Sequence, residues 1–122
     1  MKVYICPICG NVVELIGNKH GVLVCCGKPM EELTANTSDG AKEKHVPVIE
    51  KKENDIIVKV GSTFHPMDVD HSIKWISLVQ DRKITRIDLQ PGESPEVTFP
   101  YIKGSTVYAY CDKHGLWKSE VE

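Results

Sequence analysis

The amino-acid sequence predicts an all-β protein in two parts, a small metal-stapled N-terminal domain over residues 1–36 and an antiparallel β-sandwich over residues 37–122. Three observations carry this. Four of the five cysteines fall in the first 36 residues, a segment with little core-forming material of its own. The remainder alternates short β-prone runs with turn-forming clusters and holds no convincing helix. The balance of 15 Lys and Arg against 17 Asp and Glu gives a formal net charge of −2, the profile of a soluble globular chain and a poor footprint for nucleic-acid binding. No apolar run approaches the ~20 residues of a membrane helix. Met1-Lys2-Val3-Tyr4 lacks the basic-then-apolar layout of a signal peptide. The expectation is a cytoplasmic protein that engages neither nucleic acid nor membrane.

In the N-terminal part, Val3 to Cys6, Val12 to Leu15 and Val22 to Cys25 are short β-prone runs, and Gly17 to Gly21 between the last two carries hairpin turn chemistry. So short a segment cannot bury enough apolar surface to fold alone, so a covalent or metallic staple must hold it. Thr34 to Lys44 (TANTSDGAKEK) reads as a polar linker with one helical turn after a Ser38 or Asp39 cap.

Seven strands follow: Val46 to Glu50, Ile56 to Val60, Ile73 to Val79, Ile84 to Leu89, Glu96 to Phe99, Thr106 to Tyr110 and Leu116 to Val121. Clusters such as Lys52-Glu53-Asn54-Asp55, Asp81-Arg82-Lys83 and Gln90-Pro91-Gly92-Glu93 punctuate them. That number and spacing predict a sandwich of immunoglobulin-like type. Trp75 and Trp117 sit among aliphatic strand residues and are assigned to core packing.

Five cysteines without a secretion signal point to metal ligation, since reducing compartments keep thiols free and the odd count leaves one unpaired. Cys6-Pro7-Ile8-Cys9 is a C-x2-C knuckle in which two thiolates converge on one ion. After fifteen intervening residues come Cys25 and Cys26, adjacent where a zinc ribbon would repeat C-x2-C. Neighbouring side chains on a strand point to opposite faces, so both sulfurs reach one ion only if the backbone bends there. Iron and zinc both suit four thiolates, and the spacing does not separate them; a strained Cys25–Cys26 disulfide is the remaining alternative.

His45, His65, His71, Cys111 and His114 sit at strand ends or in connecting loops, where a scaffold positions functional groups. His65 and His71 flank Pro66-Met67-Asp68-Val69-Asp70, and Cys111-Asp112-Lys113-His114 is a C-x2-H turn. Four imidazoles and a thiolate exceed the four ligands of a structural zinc and suit a five-coordinate iron with one open position. His20, at the expected hairpin tip, is read as a solvated turn residue.

The CPICG knuckle with VCCGKPM, the AKEKHVPVIEK run, TFHPMDVDHSIKWI and YCDKHGLWK together resemble the desulfoferrodoxin family, the two-iron class of superoxide reductases, over essentially the whole chain. The resemblance implies a desulforedoxin-like N-terminal domain with a distorted FeS4 centre on Cys6, Cys9, Cys25 and Cys26. It also implies a second iron with equatorial His45, His65, His71 and His114 and axial Cys111. It further implies that Glu43 occupies the open position of the oxidised iron and that Lys44 meets the incoming anion. Without the resemblance this pair reads as a solvated charge run.

The activity so implied is one-electron reduction of superoxide to hydrogen peroxide, with re-reduction by an external, rubredoxin-like electron donor. A homodimer is implied as well, and it accords with the need of so small an N-terminal domain to cover its apolar face. Two other classes compete: an FeS4 electron-transfer protein without catalysis, which leaves the histidines unexplained, and a zinc-stapled β-sandwich binding module, which needs only the four cysteines.

Overall fold

A computed structural model describes residues 1–38, 40, 42–61 and 65–122, with Glu43 described by its backbone alone. The chain divides into two compact units, Met1–Thr34 and Ala35–Glu122. Among the described residues no helix is long and apolar enough to cross a membrane.

The first unit contains β1 (Val3–Ile5), β2 (Val12–Glu14), β3 (Val24–Cys25), β4 (Lys28–Pro29) and β5 (Glu31–Leu33). Strand β1 lies between β2 and β5 in an antiparallel sheet, and β3 pairs with β4. The Cys6–Cys9 knuckle is itself the β1–β2 connection: the Cys6 N–H donates to the Asn11 carbonyl at 2.9 Å and the Gly10 N–H to the Cys6 carbonyl at 3.1 Å. This reversal commits β2 to β1, so the hairpin expected across residues 17–21 does not form. That stretch is a loop in which Asn18 Oδ1 accepts the His20 N–H at 2.9 Å. Val3 and Cys6 are the buried side chains of this unit among the described residues, too few to hold it without a staple.

The second unit opens with a single helical turn, α1 (Lys42–His45), and continues through β6 (Pro47–Lys52), β7 (Asp55–Val60), β8 (Ile73–Val79), β9 (Ile84–Asp88), β10 (Glu96–Pro100), β11 (Thr106–Cys111) and β12 (Gly115–Glu120). The strands form two antiparallel sheets, ordered β10-β7-β6 and β12-β11-β8-β9. This is the predicted immunoglobulin-like sandwich, with β9 beside β8 so that the sheets hold three and four strands.

Strands β7 and β10 bury alternate residues, as a strand covered on one face does, whereas β8, β11 and β12 bury consecutive ones. Ile56, Val58 and Val60 of β7 and Val97 and Phe99 of β10 share the core with Ile76 and Leu78 of β8 and Val107, Ala109 and Cys111 of β11. Each large aliphatic or aromatic side chain among them contributes about 1.5–3 kcal/mol on burial. The β8–β11 register shifts between Tyr110 and Cys111: Tyr110 faces Trp75, but Cys111 faces Ile73. Lys74 is therefore the extra residue of a bulge, which lets Ile73 and Ile76 both point inward.

The two tryptophans differ in burial. Trp117 is buried as expected, whereas Trp75 is half-buried and stacks on Tyr110, with ring centroids 5.7 Å apart, opposite it in the register.

Candidate metal centres

The four N-terminal sulfurs lie within 4.8 Å of one another. Cys6 and Cys9 come from the knuckle, where the backbone N–H groups of Ile8 and Cys9 each donate to Cys6 Sγ at 3.4 Å. Cys25 ends β3, and Cys26 starts the two-residue turn to β4. Cys26 and Gly27 have φ of 53° and 74°, the left-handed pair that a tight type I′ hairpin demands. This turn is the bend that adjacent cysteines need: Cys25 Sγ lies 3.6 Å from Cys9 Sγ and 3.9 Å from Cys26 Sγ. The cysteines are free thiols.

Their protonation is divided unequally. The Cys9 backbone N–H, with that of Ile8, lowers the Cys6 thiol to about 6. Hydrogen bonds with Cys6 and Cys9 push Cys25 up to about 12, and Cys26 is raised as well, first by Cys9. Four crowded sulfurs cannot all carry charge without a cation between them, so the donor set fits a tetrathiolate metal.

The second cluster gathers at one end of the sandwich. His45 ends α1, His65 and His71 bracket the approach to β8, Cys111 ends β11, and His114 lies in the β11–β12 turn. The four imidazoles form a closed cycle of edge contacts: His45–His65 and His45–His114 at 4.7 Å, His65–His71 and His71–His114 at 5.0 Å, with planes 79° to 87° apart. Ligand atoms of His45, His71, Cys111 and His114 lie within 4.8 Å of one another. His65 joins them through its ring contacts on either side.

The local backbone orients these rings. Asp68 and His71 exchange backbone hydrogen bonds at 3.0 and 3.3 Å, closing the loop between the two histidines. His65 Nδ1 lies 2.6 Å from the Pro66 carbonyl; a carbonyl only accepts, so Nδ1 carries the proton and Nε2 keeps its lone pair. His65 Nε2 and His71 Nε2 are buried without hydrogen-bond partners, and His114 Nδ1 and His45 Nε2 crowd to 3.0 Å. Buried nitrogens left orphaned, as those of His65 and His71 are, are what a metal satisfies.

Burial lowers His65 to about 4 and lowers His71 too, so both stay neutral and available as donors. Burial raises the Cys111 thiol, while the backbone N–H groups of Lys113 and His114 pull it down. The turn that supplies them closes at Gly115, whose φ is 81° and where a Cβ would lie 2.5 Å from Ser38 Oγ. Gly40 packs against the rings themselves, with its Cβ position 3.2 Å from His114 Cγ and 3.4 Å from His45 Cε1.

Lys44 is exposed on α1, one residue before buried His45. The Glu43 side chain lies outside the described residues. Residues without a ligating atom also shape the site. Trp117 lies flat against His45 and bonds the His114 carbonyl, and its indole N–H was the signal, because a buried indole needs an acceptor. Asn36 is held at φ 63°. Its N–H donates to the Leu116 carbonyl at 2.9 Å and its Nδ2 to the Lys118 carbonyl at 3.3 Å, while its Oδ1 accepts the Lys118 N–H at 2.9 Å. The chain leading to α1 is thereby pinned along β12.

The desulfoferrodoxin family model matches residues 37–120, and the model of the desulfoferrodoxin N-terminal domain matches residues 1–33. A desulfoferrodoxin of Syntrophotalea carbinolica is 55% identical over 121 residues, covering 98% of this chain and 96% of that protein. One of Nitratidesulfovibrio vulgaris is 51% identical, covering 98% and 95%. The crystal structure of the superoxide reductase from Treponema pallidum superposes with a TM-score of 0.73 at 29% identity, covering 97% of this chain and 98% of that one. Two family models in tandem and near-complete coverage of these relatives lead to one conclusion: the chain belongs to the desulfoferrodoxin family.

Proposed function

We propose that the chain is a superoxide reductase, an oxidoreductase carrying two iron ions and converting superoxide to hydrogen peroxide. The observation that carries this is the closed cycle of four imidazoles beside a buried thiol. Those five donors exceed a structural zinc set, and they occur in a family member whose solved relative from Treponema pallidum is a superoxide reductase. When bound there, iron supplies one-electron chemistry.

The residue roles belong to the same proposal. His45, His65 and His71 through Nε2 and His114 through Nδ1 hold the metal as neutral donors, supported by the orphaned Nε2 atoms of His65 and His71 and by the 3.0 Å approach of His114 Nδ1 to His45 Nε2. Cys111 donates as a thiolate, and the Lys113 and His114 N–H groups temper it. Lys44, exposed one residue before His45, attracts the anionic substrate. Two protons from solvent complete the peroxide, and Glu43, by the family resemblance, would supply a carboxylate to the open position of a bound iron. The expected catalytic domain, 37–122, and the expected FeS4 domain of Cys6, Cys9, Cys25 and Cys26, 1–36, correspond to the two compact units, whose division falls two residues earlier, after Thr34.

Each turnover consumes one electron, so an external donor of rubredoxin type completes the cycle. Ile8, Ile16, Val22 and Val24 are exposed on the N-terminal unit, an apolar surface that a second copy in a homodimer would cover. Five free thiols suit a reducing compartment, and we place the protein in the cytoplasm, acting in superoxide detoxification.

Metal analysis with a visible spectrum tests the reading. Two irons per chain, a tetrathiolate band set and a separate thiolate-to-iron band that Cys111→Ser abolishes are expected, with one peroxide formed per superoxide consumed. One iron, or half a peroxide per superoxide, would refute it.

A further inference from the structure

We propose that Asp112 is a positioning residue that locks the His71 segment to the Cys111 turn, so that the His71 imidazole and the Cys111 sulfur are delivered to the same point. The proposal rests on the reading of those two as ligands. Cys111 closes the β8–β11 ladder opposite Ile73, and Asp112 and Ser72 extend it by one step.

In an antiparallel pair of this kind the two residues exchange both backbone N–H···O bonds. Here the Asp112 N–H donates to the Ser72 carbonyl at 3.2 Å, and the return bond goes from the Ser72 N–H to the Asp112 carboxylate, Oδ1, at 3.0 Å. A side chain thus replaces a backbone carbonyl at the last rung, immediately beside both ligands.

Burial withholds water from the Ser72 N–H. Ser72 is 1% exposed, so its N–H would lose its partner and gain no water if the carboxylate were removed. The next N–H, of Ile73, is already given to Met67 Sδ at 3.4 Å, and the Lys74 carbonyl accepts from Leu89 at 2.8 Å. The second carboxylate oxygen, Oδ2, lies 3.5 Å from Lys74 Nζ, the side chain of the bulge residue. One carboxylate therefore ties the bulge, the residue after His71 and the residue after Cys111 into a single rigid corner. His71 has its own tie to Asp68 on the other side, so the Asp112 link is what sets its loop against β11.

Asp112→Ala and Asp112→Asn separate positioning from charge, because asparagine keeps an acceptor for the Ser72 N–H and loses the negative charge. In the full chain, Asp112→Ala should raise amide exchange at Ser72 by roughly tenfold or more, the effect of one lost buried hydrogen bond. In the iron-loaded protein it should shift the thiolate-to-iron band and weaken retention of iron against a chelator by about 10- to 100-fold. Asp112→Asn should remain within about twofold of the parent on both measures.

Unchanged Ser72 exchange and an unchanged band in Asp112→Ala would overturn the proposal, as would an Asp112→Asn protein as impaired as the alanine variant. If Asp112→Ala fails to fold, Asp112→Asn alone decides, since a charge role predicts its impairment and a positioning role predicts its retention. If the parent protein takes up no iron at this cluster, the ligand reading fails, while the Ser72 exchange comparison still reads the link by itself.

Discussion

Trp117 lies against His45 with ring centroids 5.0 Å apart and planes 21° from parallel, and its indole N–H donates to the His114 carbonyl at 3.0 Å. One buried side chain thereby supports two members of the imidazole cycle, by stacking on one and by a hydrogen bond beside the other. Trp117→Phe keeps an aromatic face for His45 and strands the His114 carbonyl, so it should cost about 1–3 kcal/mol of stability. Trp117→Ala removes both and should cost about 3–5 kcal/mol. Urea titrations of the two variants check the order, which equal losses would contradict.

Acid should destabilise the metal-free chain in a defined window. His65 protonates near 6.5 when unfolded and near 4 when folded, because burial disfavours its charged form. Between those values the unfolded chain binds more protons, so stability is intact above about 6.5 and falls as the pH drops toward 4, by on the order of 3 kcal/mol for this one group. His71 is lowered by the same cause and adds a loss of the same sign. Urea midpoints measured from pH 7.5 to 4.5 should show the decline, with a shallower slope in His65→Asn. Parallel profiles for the two proteins would exclude His65 as its source.

The two metal centres should be separable. Cys26 begins the β3–β4 turn and sits with Cys6, Cys9 and Cys25, whereas the second cluster draws on residues 45 to 114. Cys26→Ser should abolish or remodel the tetrathiolate band set and leave the thiolate-to-iron band and peroxide formation from an artificial donor largely intact. Loss of peroxide formation with the second iron still bound would show that the centres depend on one another.

Lys44 should act through charge alone. A cation ~5 Å from superoxide contributes about 1–3 kcal/mol of attraction for an effective dielectric of 80 down to 20. Lys44→Ile should slow the second-order reaction of the reduced protein with superoxide by around tenfold at low salt, leave the iron bound, and flatten the salt dependence of the rate. Pulse-radiolysis rates across a salt series measure both, and an unchanged rate with an unchanged slope would return Lys44 to an ordinary solvated role.

What the sequence determined by itself is whatever short-range chemistry encodes. The seven sandwich strands follow from alternation and turn residues, and the expected Ile73-to-Val79 run coincides with β8. The donor inventory is legible for the same reason: thiolates and imidazoles at such spacings have few other uses, so Cys6, Cys9, Cys25 and Cys26 and the four histidines with Cys111 are recognisable as ligand candidates from the sequence. Tertiary structure decided which surfaces meet. Residues 17–21 carry turn chemistry, yet β2 pairs with β1, because the knuckle reverses the chain first. Alternation with inward Ile76 and Leu78 leaves Trp75 half-buried on the other face, although a tryptophan among aliphatics reads as a core residue, and the bulge at Lys74 brings Ile73 inward instead. Asn36 holds Lys118 across 82 positions and Ser72 meets Asp112 across 40, and no local preference records either pairing. Ligand identity is a property of the side chain, readable one residue at a time, whereas ligand orientation depends on hydrogen bonds between segments that only the packed sandwich brings together.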